Sequence, residues 1–71
     1  MTVLSAIKIL NALMGIGMEA VQLRQMMQVI QTAHEQGRDL TDKEVDHAFS
    51  QLDQADKDLA TVIAKRVKEK G

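Results

Sequence analysis

The sequence has no cysteine, proline, tryptophan or tyrosine, and its only aromatic residue is Phe49. Without cysteine, the chain has neither disulfides nor thiolate metal ligands. A single aromatic residue leaves little for a β-fold or for a surface on which nucleic-acid bases stack. The length of 71 residues excludes a large enzyme core, because so short a chain buries only a modest share of its surface. These absences predict one small all-α domain that uses no cofactor.

The charges are nearly balanced, with nine basic and ten acidic residues and a formal net charge of −1. This balance predicts no overall attraction to nucleic acid or to an anionic membrane. Lys65, Arg66 and Lys68 are a candidate anion contact near the end of the chain. Cations there also stabilise the last turn of a helix, and no broad basic face accompanies them. Nucleic-acid binding is therefore not expected.

A helix stop and a helix start follow each other in the middle of the sequence. Gly37 suits the left-handed position just past a helix end. Thr41 and Glu44 have the spacing of a capping box, in which each residue bonds to the backbone of the other. Leu40 and Val45 flank this box at the spacing of a hydrophobic staple. The pattern predicts a turn at residues 37–41.

This turn separates two predicted helices, at about residues 2–36 and about 42–69. Apolar residues in the second helix recur at steps of three, four and seven, which is typical of one helical face. A loop this short normally joins neighbouring antiparallel helices. The sequence therefore predicts a single antiparallel two-helix hairpin over residues 1–71.

The first half of the first helix is apolar on nearly every side. Lys8 is the only charged residue between Val3 and Met18. One partner helix does not cover such a segment, because its apolar residues point in all directions. Gly15 and Gly17 lie near the end of this segment. Glycines within a helix mark a kink, a break or the close approach of another backbone.

A two-helix hairpin has no closed core, so its apolar faces need cover from another chain. We expect a homodimeric four-helix bundle or a larger homo-oligomer. The residues expected at the oligomer or partner interface are the larger apolar side chains of the first helix: Val3, Ile7, Ile9, Leu10, Leu13, Met14, Ile16, Leu23 and Met27.

Catalytic and metal chemistry finds little support in the sequence. His34 and His47 flank the turn, but two side chains do not complete a tetrahedral metal site and the helical HExxH spacing is missing. Neither Ser5 nor Ser50 lies in a recognisable nucleophile–base arrangement. We predict no metal site and no catalytic residue, and hence a protein that is not an enzyme.

A membrane role is the main alternative to a soluble, protein-binding function. A spanning helix needs about 20 predominantly apolar residues, and Lys8 leaves only residues 9–18 uncharged. An interfacial helix carries several cations on its polar face, whereas Lys8 stands alone. The sequence therefore favours a soluble protein over a membrane-active one.

The apolar first helix, the hinge at Gln36–Val45 and the charged second helix with its Lys-rich end resemble small helical proteins encoded by phages and prophages. The resemblance implies a virion-assembly accessory or an inhibitor that binds a host or defence protein, in the cytoplasm of a bacterial host. Expected partners are a second copy of the chain and another protein. Two alternatives remain open: an interfacial membrane-active protein of holin or bacteriocin type, and a helical oligomer that binds a small ligand.

Overall fold

The described residues of the chain form four α-helices joined by short turns. The structure is a computed structural model that describes residues 1–70, apart from the side chain of Lys70; Gly71 lies outside the described residues. The helices are α1 (Val3–Gly15), α2 (Arg24–Glu35), α3 (Asp42–Ser50) and α4 (Gln54–Lys70). The described part of the chain contains no strand, which agrees with the all-α prediction.

The first predicted helix is in fact two helices, separated by residues 16–23, and Gly17 lies at the start of this break. Gly17 has a φ of +104°, in the region that favours glycine. Its N–H donates to the Met14 carbonyl, and the Met18 N–H donates to the Leu13 carbonyl, each at 3.1 Å. This pair of bonds is a Schellman motif, which ends a helix. A Cβ at Gly15 or Gly17 meets no atom within 4 Å, so neither glycine makes room for another backbone.

The second predicted helix is also interrupted, at residues 51–53. The Leu52 N–H donates to the Phe49 carbonyl in a tight turn, and α4 begins just after Asp53. A continuous helix over residues 42–69 is about 42 Å long. The longest extent of the molecule is 31 Å. The hairpin of two long helices is therefore wrong, because both helices bend back to cover a shared core.

Each helix contacts two others, so the four form a closed ring. α1 packs against α2 and α4, and α3 packs against the same two helices. α1 and α4 run antiparallel: Met1, just before α1, lines one hollow with Ala64 of α4, and Ile16, at the other end of α1, lines another hollow with Leu59 of α4. Gln22 Nε2, in the turn before α2, donates to Asp56 Oδ2 of α4 at 3.3 Å. This arrangement places α1 with one side on the other helices and one side outward.

The core is a single apolar cluster to which every helix contributes. Its largest fully buried side chains are Ile9, Leu13 and Leu23. The radius of gyration is 11.0 Å, and a compact chain of this length is expected to have about 11 Å. A single chain therefore does give its first helix a core, contrary to the prediction. Four short helices enclose a core that two long ones do not.

Candidate interaction surface

Helix α1 has an inner face that is buried and an outer face that is exposed. Its inner face consists of Ala6, Ile9 and Leu13, none of which is more than 1% exposed. On the opposite side, Leu4 is 63% exposed, Ile7 38% and Met14 49%. Asn11 lies between the last two and is also exposed. We call Leu4, Ile7, Asn11 and Met14 the α1 outer face.

The outer face exposes three large apolar side chains to solvent, with Asn11 among them. Lys8 is the only charged residue of α1, and it lies at the edge of this face. A helix that is apolar on all sides is normally buried on all sides. Isolated exposed apolar residues are ordinary, but three at helical spacing on one face form a stripe of the kind found at binding surfaces. The α1 outer face is therefore the strongest candidate site of the described chain.

The interface predicted from the sequence divides into three groups in the structure. Ile9, Leu13 and Leu23 are fully buried in the chain's own core. The prediction is corrected for these three: they are core residues, because the folded chain does not expose them to a partner. Val3 and Leu10 are half-buried against the core. The exposed members are Ile7, Met14, Ile16 and Met27.

Two members of the outer face, Leu4 and Asn11, were missing from the predicted interface. Their signal was readable, since Leu4, Ile7, Asn11 and Met14 follow each other at steps of three, four and three. The sequence alone did not single out this spacing, because nearly the whole segment is apolar. When apolar residues point in almost all directions, the pattern does not show which stripe faces the core. The folded chain separates the two stripes.

Ile16 and Met27 do not belong to the outer face. Ile16 caps the end of α1 and lines a shallow hollow with Leu59 of α4. Met27 lines another hollow on α2 together with Val21 and Arg24. Both hollows are open to solvent and have polar side chains among their lining residues. They are less continuous than the stripe on α1.

A groove between α3 and α4 contains two of the three predicted anion contacts. Phe49 and Ala64 form part of its apolar lining, and Lys65 and Lys68 lie along it. Asp46 lies in the same groove, so the lysines face an acidic neighbour instead of forming a purely basic site. Arg66 is exposed and is not part of this lining. The anion contact stays a prediction.

The α2–α3 turn has the capping geometry that its sequence indicated. Gly37 has a φ of +63° and ends α2 in a second Schellman motif. The Glu44 N–H donates to Thr41 Oγ1 at 3.1 Å, and the Thr41 N–H donates to Glu44 Oε1 at 2.9 Å, which completes the capping box. Leu40 is buried and Val45 half-buried against the same core, as the predicted staple requires.

Arg38 adds an ion pair to this turn that sequence analysis missed. Its Nη1 and Nη2 donate to the two carboxylate oxygens of Glu44 at 2.7 and 3.0 Å. The hydrogen bonds from Arg38 and then from the Thr41 backbone lower the pKa of Glu44 to about 2. The hydrogen bond to Glu44 also raises the pKa of Arg38. The charges of Arg38 and Glu44 therefore pair with each other inside the turn, where they stabilise it.

The N-terminal segment is attached to the same turn. The Met1 nitrogen donates to the Leu40 carbonyl at 3.0 Å, and the Leu40 N–H donates back to the Met1 carbonyl at 2.7 Å. Thr2 then caps α1 by accepting from the Ser5 N–H at 3.1 Å. These bonds fix the start of α1, and with it the position of the outer face.

His34 and His47 are both exposed. Among the residues that the structure describes, no three histidine, aspartate or glutamate side chains come together in a way that could hold a metal ion. Within the same residues, no helix has the length and apolar character needed to cross a membrane.

Comparison of the chain with protein-family models, with curated protein sequences and with solved structures gave no match.

Proposed function

We propose that this protein is a non-enzymatic helical protein-interaction module that binds another protein chain through the α1 outer face. The observation that carries the proposal is the exposure of Leu4, Ile7 and Met14 on a helix whose opposite side already forms the core. In the folded chain, only one of the two faces of α1 is buried. Covering the second face releases further apolar surface from water, which favours association.

The non-enzymatic part of the proposal draws support from the character of the interior. Every buried side chain in the described residues is apolar. Acid–base and nucleophilic catalysis usually depend on polar groups whose pKa is shifted by burial or by close neighbours. Here the strongly shifted carboxylate, Glu44, is held by Arg38 and Thr41 within a capping box.

The biological setting follows the phage resemblance given by the sequence. On that basis, the proposed setting is the cytoplasm of a bacterial host, and the proposed role is that of an accessory protein or inhibitor acting on a host or defence protein. Whichever chain is bound, α1 presents apolar anchors to a helix or groove of that chain, as helix-mediated recognition does.

Site-specific photo-cross-linking in bacterial cells tests the proposal. A photoreactive amino acid replaces Leu4 or Met14 on the outer face, and Val21 in the control chain. Val21 is a matched control because it is 64% exposed, against 63% for Leu4, but lies outside α1. We expect a discrete protein adduct from the outer-face positions, absent from the Val21 chain and lost when Ile7→Glu is added.

Mass spectrometry of the adducts separates the outcomes. A protein adduct specific to the outer face supports the interaction module. Adducts to lipid alone would contradict the interaction module and support the membrane-active alternative. If the outer-face positions give no more protein adduct than Val21, the proposal is overturned.

A further inference from the structure

We propose that the α1 outer face pairs with the same face of a second copy of this chain, in a parallel two-stranded coiled coil. This inference rests on the proposed function and deepens it, because it names the partner and its orientation. Three observations on α1 carry it: the spacing of the exposed residues, the place of the single amide and the place of the single charge.

The spacing is that of a coiled-coil seam. Leu4, Ile7, Asn11 and Met14 occupy the a, d, a and d positions of two successive heptads. A helix that packs onto a globular core uses a wider stripe, whereas a strict a/d stripe is the narrower seam between supercoiled helices. The buried residues Ala6, Ile9 and Leu13 then fall at c, f and c, on the opposite side. Pairing therefore leaves the chain's own core unchanged.

Asn11 identifies a second copy as the partner. In a parallel pair, residues at a lie opposite the same residues of the other helix, so Asn11 meets Asn11. Each amide has both donors and acceptors, and the two satisfy each other. An apolar groove of an unrelated protein would bury the same amide without a partner, which is unfavourable. A single asparagine at an a position also specifies register and the number of strands in natural coiled coils. It selects the two-stranded pair over the larger assemblies that Leu at a with Ile at d would otherwise favour.

Lys8 favours the parallel orientation. It occupies an e position, and in a parallel pair e positions flank the g positions of the other helix. Those g positions are Val3 and Leu10, which are half-buried and apolar. The methylene stem of Lys8 packs on such residues while its ammonium stays in water. An antiparallel pair places e beside e instead, which brings the two Lys8 charges together.

The size of the surface predicts a reversible dimer. Stable interfaces bury about 800 Å² on each partner, roughly one sixth of the 4805 Å² surface of the chain. Helix α1 has 13 residues and is about 20 Å long, so it supplies only two heptads. We therefore expect the dimer to dissociate on dilution.

Single-cysteine variants test the pairing directly, because the chain has no cysteine of its own. In the purified protein, Leu4→Cys and Asn11→Cys place thiols on the seam, and Val21→Cys is the control of matched exposure. Under mild oxidation, we expect both seam variants to form disulfide-linked dimers roughly tenfold or more faster than the control, because pairing raises the effective concentration of the thiols. Addition of Ile7→Glu removes this difference, while circular dichroism confirms that each variant is folded.

The other outcomes overturn the inference in recognisable ways. Cross-linking that requires a mixture of Leu4→Cys and Met14→Cys chains would show an antiparallel pair. Seam variants that oxidise no faster than Val21→Cys would exclude self-pairing altogether. In that case, a heterologous protein adduct in the photo-cross-linking experiment would leave the proposed function intact with a different partner.

Discussion

Glu44 connects two parts of the α2–α3 turn through one carboxylate. It accepts from both terminal nitrogens of Arg38 and from the backbone N–H of Thr41. These donors stabilise the charged form, so the pKa of Glu44 lies below its ordinary value of 4.5, at about 2. A lowered pKa in the folded chain contributes stability above pH 4.5, and this contribution is lost as the pH falls toward 2.

We expect Glu44→Gln to lower the melting temperature at pH 7 and to weaken the loss of stability on acidification. The amide keeps one acceptor but loses the charge that attracts Arg38. Thermal unfolding followed by circular dichroism between pH 7 and pH 2.5 measures both effects. Glu19→Gln is the control, because Glu19 is exposed outside this turn. Parallel pH profiles for the wild type and Glu44→Gln would contradict the expectation.

Two of the glycines adopt the left-handed backbone conformation at a helix end, whereas Gly15, close to one of them, does not. Gly17 and Gly37 have positive φ, whereas Gly15 does not. We expect Gly17→Ala and Gly37→Ala each to destabilise the fold by about 1–2 kcal/mol, the cost of placing a Cβ in that region. Gly15→Ala is expected to be neutral or stabilising by up to about 1 kcal/mol, because alanine favours the helix.

Urea unfolding of the three glycine variants at equal protein concentration measures these differences. The space around the glycines is open in all three cases, so the comparison isolates backbone conformation from packing. Equal destabilisation of Gly15→Ala and Gly17→Ala would mean that α1 does not end in the motif described above.

At the scale of the element, α1 is one helix with two apolar faces. We expect Leu13→Ala, on the inner face, to cost about 2–5 kcal/mol through lost burial and cavity formation. Leu4→Ala, on the outer face, removes the same atoms from an exposed site and is expected to change the stability of the monomer by no more than about 0.5 kcal/mol. Urea unfolding at low protein concentration measures both. Similar costs at the two positions would show that the outer face is already covered.

Element boundaries were predictable where the chain carries a specific capping signal. The Thr41–Glu44 box and Gly37 placed the α2–α3 turn from the sequence, because their hydrogen bonds are local. Gly17 offered a comparable signal, but its positive φ is known only from the folded chain. The break before α4 has no glycine, and its signal is Asp53, a residue type that favours the position before a helix. This chain also has aspartates inside its helices, at Asp46 and Asp58, so Asp53 alone did not mark the break.

At the scale of the whole molecule, association and stability are linked. A partner that binds only the folded chain stabilises it in proportion to the logarithm of its concentration. If the chain pairs with itself, we expect its melting temperature to rise as protein concentration rises from the low micromolar to the millimolar range. Ile7→Glu is expected to remove this dependence.

Differential scanning calorimetry across that concentration range makes the measurement, and Val62→Glu on α4 is the control. Val62 is 50% exposed and lies outside α1, so a charge there tests whether any exposed apolar residue has the same effect. A melting temperature that is independent of concentration in the wild type would argue against self-association over this range.

The amino-acid sequence alone was enough to predict that the protein is helical, where its central turn lies and how that turn is capped. These features depend on composition and on contacts within a few residues. Tertiary structure decided that four helices form instead of two, that Ile9 and Leu13 enter the core, and that Leu4, Ile7 and Met14 stay outside. The reason is that α1 is apolar on nearly every side, so only the positions of the other three helices select which face is covered.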